Sequence, residues 1–253
     1  MTTDNASFYT QTFYRNRHEQ TQYAAQQLLE RVAAVVPPIH SAVDVGCGVG
    51  TWLAVLRARG VESVQGYDGD WVDADLLKIP TNCFDSRDLT ELLPAPERRY
   101  DLAISLEVAE HLPASAARTF VHSLTNQADF IVFSAAIPHQ GGRHHVNEQW
   151  LEYWAALFRE FDYSGVDVLR PVLWHDDSIQ TWYRQNAVLF VRQTRLDDLT
   201  TDPGDMTPAA MSMVHPAAYE RKIADYEARI AHMQTLKGAW KLLRRAIKAR
   251  LKQ

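Results

Sequence analysis

The chain has 253 residues, 46% of them hydrophobic and 23% charged, which excludes a disordered or collagen-like chain and is enough for one α/β domain with an appendage. Its formal net charge of −5 is split: the bases from Arg229 onward, with no acid after Glu227, contribute +8, and the rest of the chain carries −13. A body that acidic opposes wrapping nucleic acid, where affinity comes chiefly from Lys and Arg on phosphates, so no nucleic-acid partner is expected.

Met1 to Arg17 is polar and aromatic, with no basic segment leading into an apolar one, and no apolar run is long enough to span a bilayer. A cytoplasmic protein is expected. Tyr9, Phe13 and Tyr14 fit an N-terminal helix on the sheet edge or a lid over a crevice. From Glu19 to Val36, Ala24, Leu28, Val32 and Val35 recur at helical spacing until Pro37 and Pro38 stop the helix. Ser41 to Gly46 reads as a buried strand, the next residues as a glycine-rich turn, and Thr51 to Arg59 as a helix ended by Gly60. Val61 to Tyr67 makes a second strand ending at Asp68. Tyr100 to Leu106 makes a later one, Ala114 to Leu124 a helix, Phe130 to Ala135 a strand, Trp150 to Phe161 a helix and Ala187 to Arg192 a final strand. This alternation predicts an α/β, Rossmann-like, doubly wound and mostly parallel sheet, with an N-terminal helix and a C-terminal basic amphipathic helical tail; strand order is not readable. The cysteines, Cys47 and Cys83, provide neither a disulfide framework nor a paired metal spacing.

The segment from Leu196 to Pro216, rich in Asp, Thr, Pro and Gly, reads as a linker, which divides the chain into a domain over 1–195, a linker over 196–216 and a tail over 217–253. In the tail, Leu236, Trp240, Leu243, Ile247 and Leu251 form an apolar stripe beneath a basic face, suited to peripheral contact with anionic lipid at the inner membrane face. Helix pairing is the alternative, supported by Ile223, Tyr226, Ile230 and Met233 upstream.

The strongest motif is Val43 to Thr51, in which Asp44 inside a strand precedes Gly46, Gly48 and Gly50 at the strand-to-helix turn. Thr51 stands where a dinucleotide fingerprint has its third glycine, which weakens a pyrophosphate reading. Asp68, at the end of the second strand, is placed to accept from ribose hydroxyls. Taken with the later FDSRDL and SLEVAEHLP, these residues resemble the successive motifs of class I S-adenosylmethionine-dependent methyltransferases over roughly Ala42 to Ser134. The resemblance implies S-adenosylmethionine as cofactor, resting on the loop of Gly46, Cys47, Gly48 and Gly50, with Gly46 and Gly48 against its methionine part. Asp44 would orient that loop, Asp68 would bind the ribose, Asp88 and Leu89 would flank the adenine, and Glu107 would border the sulfonium and the methionine amine.

Beyond the fifth strand, Ile137 to Trp150 is polar and histidine-dense, in the position where loops line the ligand crevice of open α/β sheets. Methyl transfer to a hydroxyl needs alignment and a proton acceptor, and histidine suits neutral pH. His145, or its neighbour His144, is the candidate base, and Glu148 would orient the ring or hold substrate. Asn147 is also placed to cap the following helix, with the histidines merely closing the loop. His139, His144, His145 and Glu148 could converge on a divalent ion, but no helical H-x-x-x-H or cysteine pair enforces it, and no metal is expected. His111 could face the acceptor or sit as a satisfied loop histidine. With Trp154, Phe158, Arg170 to Trp174 and Trp182 to Asn186, the segment resembles a bacterial methyltransferase subfamily often associated with glycan or surface-polysaccharide genes. Aromatic rings beside polar side chains suit a sugar, although core packing explains most of those rings equally well. Three functions are therefore weighed: O-methylation of a sugar or carrier-linked glycan, methylation of a small non-sugar metabolite, and a catalytically silent scaffold that binds the cofactor.

Overall fold

The computed structural model describes residues 11–200 and 212–235 together with positions 240 and 244, and side chains from residue 21 onward. Two compact units result, Met1–Met213 and Val214–Gln253. The first opens on α1 (Gln11–Val35), longer than its apolar spacing predicts; Ala24, Ala25, Leu28, Leu29 and Val32 are all buried along one face. Tyr9 lies outside the described residues, and Phe13 and Tyr14 fall within α1 where side chains are not described.

Then come β1 (Ser41–Val45), α2 (Thr51–Ala58), β2 (Ser63–Asp68), β3 (Phe84–Ser86), β4 (Leu102–Leu106), α3 (Ala117–Gln127), β5 (Phe130–Ser134), α4 (Leu151–Arg159), β6 (Tyr163–Val166), α5 (Arg170–Leu173), α6 (Thr181–Asn186) and β7 (Val188–Arg192). The sheet has seven strands in the order β3-β2-β1-β4-β5-β7-β6. The first five are parallel, and β7 runs antiparallel to both β5 and β6. The edge strand β6 is missed in sequence because it has only four residues, including Gly165, and no apolar alternation to mark it.

Successive strand residues face opposite layers, as a period of two requires. Leu102, Ile104, Val132 and Leu189 join α1 and α2 on one face; Ala103, Ile131, Phe133 and Phe190 join α3 and α4 on the other. Both faces are covered, hence the near-continuous apolar runs of β4, β5 and β7. Between β1 and β4 the strand order reverses, so the loops after these two strands diverge and leave a crevice at their carboxyl ends.

Residues expected to begin a linker instead continue the first unit: a 3₁₀ turn runs over Gln193–Asp198, and Thr200 bonds to the carbonyls of Val35 and Ala34. In the second unit α7 (Pro216–Met233) starts behind His215, whose side chain accepts from Ala217 N–H. No described helix is long and apolar enough to cross a membrane. Of the basic stripe, only Trp240 and Arg244 are among the described residues; Leu236, Leu243, Ile247 and Leu251 lie outside them.

Phe133 is wholly buried against Trp154, Phe158 and Phe190, with ring centroids 5.3 to 6.0 Å away. Phe133→Ala should cost about 3–5 kcal/mol, read as a lower urea midpoint at unchanged m-value.

Candidate active site

The glycine turn is held from β2. Tyr67 C=O accepts from the N–H groups of Gly46 (2.7 Å) and Cys47 (3.1 Å), and the Asp68 carboxylate accepts from Gly48 N–H at 2.7 Å and Gly69 N–H at 2.7 Å. Gly46, Gly48 and Gly50 have φ of 87°, 52° and 78°, the left-handed region that glycine adopts without strain. Gly46 also admits no side chain, because an added Cβ would stand 2.3 Å from Val108, in the loop after β4. The two loops flanking the crevice therefore touch. Cys47 turns its thiol under the loop against Gly66, where a Cβ would meet the sulfur at 2.7 Å, and burial pushes that thiol well up. Its side chain is packing; only its backbone borders the crevice.

The direct bond to the loop comes from Asp68, not from Asp44. Asp44 is buried on β1, its Oδ2 has no hydrogen-bond partner, and burial followed by the charge of Asp68 pushes its carboxyl well above the usual range. Asp68 is itself raised, by burial, against three donors that lower it: Gly48 N–H, Gly69 N–H and the side chain of Trp71. The Trp71 ring lies over Gly69, leaving no room for a Cβ there, and this neighbour of Asp68 carries no motif signal in sequence.

With Gly46, Cys47 and Gly48 already donating within the protein, the turn has little left to cradle a pyrophosphate, and Asp44, Asp68 and Glu107 border the same strand ends. Such a site favours a cation. A ligand ammonium would satisfy Asp44 Oδ2 and relieve its repulsion with Asp68, so the residues present fit a nucleoside carrying a sulfonium and an amine.

Asp88 is exposed and accepts from Thr90 N–H (2.9 Å) and Thr90 hydroxyl (2.7 Å), bonds that lower its pKa. Leu89 is buried in the core with Val43 and Tyr67, so only its backbone is available to an adenine.

Glu107 takes a φ of 57° at the end of β4, a conformation costing a non-glycine residue about 1–3 kcal/mol. Its backbone N–H donates to Ser134 C=O, and its carboxylate accepts from Ser134 hydroxyl (2.8 Å), Gln140 (2.8 Å) and Asn186 (3.1 Å). Asn186 also donates to Gln140 at 2.9 Å. Gln140 and Asn186 lie in stretches that the sequence already marks, Ile137 to Trp150 and Trp182 to Asn186, but neither is distinguished there from its polar neighbours. The network needs β7 antiparallel, since that direction brings the end of α6 to the carboxyl end of β5.

In the acceptor loop Glu148 is the fastener. It accepts from His139 N–H (2.8 Å) and Gly141 N–H (2.8 Å) and meets His145 Nδ1 at 2.9 Å. Burial raises its pKa, but the His145 bond and the two N–H donors outweigh this and hold it below the usual carboxylate range. His145 lies half-buried against Gly142, where a Cβ would come within 2.1 Å of the ring. His144 is separated from it, exposed and with φ of 57°. His139 is exposed as well, so His139 and His144 do not join a cluster with His145.

The cluster that does form brings together Glu110, His111 and His145, with ligand atoms all within 4.8 Å. His145 Nε2 stands 4.0 Å from Glu110 Oε1, and its ring meets His111 edge-on at 4.9 Å. Glu110, wholly buried, was not singled out in sequence, though it lies three residues beyond Glu107 and beside His111. The expected Asn147 cap is absent: Trp150 is the α4 N-cap, and Asn147 is buried, accepting from Gln149 and donating its N–H to Glu110 C=O. Trp154 and Phe158 are fully buried core residues, whereas Trp150 remains 38% exposed beside the loop.

A family described as "Methyltransferase domain" matches residues 17–161. No curated protein sequence matches the chain. Among solved structures, an O-methyltransferase family protein from Burkholderia thailandensis aligns over 72% of this chain and 58% of its own length, at 13% identity and TM-score 0.50. A chain from the complex of the Trm112 methyltransferase activator with a methyltransferase of Haloferax volcanii aligns over 76% of this chain and 99% of its own, at 13% identity and TM-score 0.52. At those identities the likeness is one of fold.

A cofactor amine placed on the raised Asp44 would make binding proton-linked. Between the ordinary carboxylate value and the raised one, the folded chain holds a proton that the unfolded chain has lost, so stability without ligand falls as pH rises across that window. A cationic ligand favours the ionised form, so binding should release protons and tighten as pH rises. Calorimetric titration with S-adenosylhomocysteine in weakly acidic buffers of different ionisation enthalpy should show this dependence and should show it diminished in Asp44→Asn. Buffer-independent enthalpies would remove Asp44 from the amine site.

Proposed function

We propose that this chain, which belongs to the methyltransferase domain family, moves a methyl group from S-adenosylmethionine to a hydroxyl of a sugar or glycan, with His145 taking the hydroxyl's proton. Its cofactor is S-adenosylmethionine, whose sulfonium supplies an electrophilic methyl group. Displacement at that carbon is in-line, so the protein must align an oxygen nucleophile and withdraw its proton as the new bond forms. The cofactor lies, in this reading, over Gly46 to Gly50, with its amine towards Asp44 and Glu107 and its ribose on Asp68; Asp88 and the Leu89 backbone border the adenine.

The observation that carries the acceptor half is the 2.9 Å bond between His145 Nδ1 and Glu148. Because Glu148 stays ionised, it accepts from a protonated Nδ1 and leaves the lone pair on Nε2, the nitrogen available to a hydroxyl. Exposed Trp150 and Val146 beside this loop offer the apolar surface on which a sugar ring stacks.

For the second unit, α7 favours helix pairing over lipid contact. No α7 residue is buried, and Tyr219, Ile223, Tyr226, Ile230 and Met233 recur at four- and three-residue steps on one exposed stripe. In a parallel second copy that register sets Lys222 opposite Glu227.

Replacing His145 with Ala should lower turnover on a glycan acceptor about 10²–10⁴-fold while S-adenosylhomocysteine affinity stays within about twofold. His144→Ala should leave both intact. Unchanged turnover in His145→Ala would end the assignment. For the tail, sedimentation should give a dimer that Ile223→Asp with Ile230→Asp dissociates, whereas flotation with anionic liposomes that those changes abolish would favour the membrane instead.

A further inference from the structure

We propose that Glu110, His111 and His145 form a binding site for one divalent transition-metal cation of the zinc or cobalt kind, whose open position takes the acceptor's hydroxyl oxygen. This rests on the O-methylation reading and alters one part of it: His145 acts through the ion.

Three observations converge. The donor set is two imidazoles and a carboxylate, the borderline nitrogen and oxygen ligands that such cations take three at a time when a fourth position is left for water or substrate. The spacing suits it: neighbouring ligands on a tetrahedral ion stand about 3.4 Å apart, and these three ligand atoms already lie within 4.8 Å of one another. The 4.0 Å between His145 Nε2 and Glu110 Oε1 is too long for a hydrogen bond and needs only a small side-chain rotation to become two bonds to one ion. Finally, the outer partners are those a metal histidine requires. Glu148 holds Nδ1 at 2.9 Å, which fixes the tautomer that presents Nε2, and is itself fixed by the N–H groups of His139 and Gly141.

The backbone secures the same geometry. Glu110 C=O accepts from the N–H groups of Val146 (2.9 Å) and Asn147 (3.1 Å), so the chain immediately after His145 is bolted to the residue that supplies the carboxylate. Glu110 is wholly buried while His111 and His145 are half-buried, which leaves the solvent-facing side of the cluster as the open position. The cluster follows Glu107 by three residues, at the end of β4 where the crevice lies.

With the ion bound, the acceptor's O–H breaks on the cation and its proton leaves to water. The oxygen lone pair then forms the O–CH₃ bond as the S–CH₃ bond breaks, and S-adenosylhomocysteine departs with the sulfur's electron pair. No electron is transferred to or from the cation.

The test is titration of the chelator-treated full chain with Co²⁺, followed by its visible ligand-field absorption. One equivalent should bind with the intense bands of a four-coordinate site. His111→Ala and His145→Ala should each weaken binding at least 100-fold, and Glu148→Gln should weaken it about 10–100-fold. Unchanged S-adenosylhomocysteine affinity shows that each variant is folded; if Glu110→Gln fails that check, the histidine variants decide. No stoichiometric Co²⁺ binding, or equal binding by the histidine variants, overturns the proposal, the cluster then being an ion pair around His145. Full methylation of a hydroxyl by metal-free protein would also sink it while leaving the direct base intact. Tight Co²⁺ binding by these residues without any hydroxyl methylation would keep the site and discard the acceptor reading.

Discussion

The hydrogen bonds that close the glycine turn onto the end of β2 set the character of the whole crevice. Tyr67 C=O and the Asp68 carboxylate take the N–H groups of Gly46, Cys47 and Gly48, so the turn spends on its own fold the donors that would otherwise greet an anion. What remains at the strand ends is acidic. Asp44 and Asp68 are both raised by burial, and Asp44 further by its neighbour, an arrangement that disfavours the site without ligand and favours a cation within it. The same glycine geometry brings Gly46 against Val108, which couples the loop after β1 to the loop after β4 across the switch point.

From Glu107 the order propagates to the acceptor side. Its left-handed backbone is held by Ser134, and its carboxylate gathers Gln140 from the acceptor loop and Asn186 from the approach to β7. Gln140 lies between His139 and Gly141, whose N–H groups fasten Glu148 and through it His145. Glu107, at the end of β4, is thus connected by a few short bonds to His145 in the loop after β5. Strain at one non-glycine position is tolerated because three polar side chains determine where its carboxylate must be.

The glycine-turn half of the candidate site was legible because it is local. Asp44, the glycines, Asp68 and Glu107 all sit at the ends of parallel strands, and strand-turn-helix chemistry leaves an imprint within a few residues. Even there one bond needed the tertiary structure: β1 pairs with β2 so that Asp44 lies opposite Gly66, and Asp68, two residues further along β2, is the carboxylate that reaches Gly48 N–H. The acceptor half is nonlocal. Nothing in sequence separates His144 from His145, since one backbone dihedral sends the first to solvent and the second against Gly142. Glu110 escaped notice because a single carboxylate acquires meaning only when a loop thirty-five residues later folds back over it.

The amino-acid sequence by itself determined the alternation of strands and helices, the parallel core of the sheet, the glycine turn and its acidic companions, and through them the class of cofactor. Those depend on periodicity and on backbone conformations that only certain residues adopt. The tertiary structure decided the strand order, the antiparallel direction of β7 that delivers Asn186, which histidine turns inward, and the meeting of Glu110, His111 and His145. Such features arise where distant segments converge, and the energy of each convergence is shared by partners that no local pattern records.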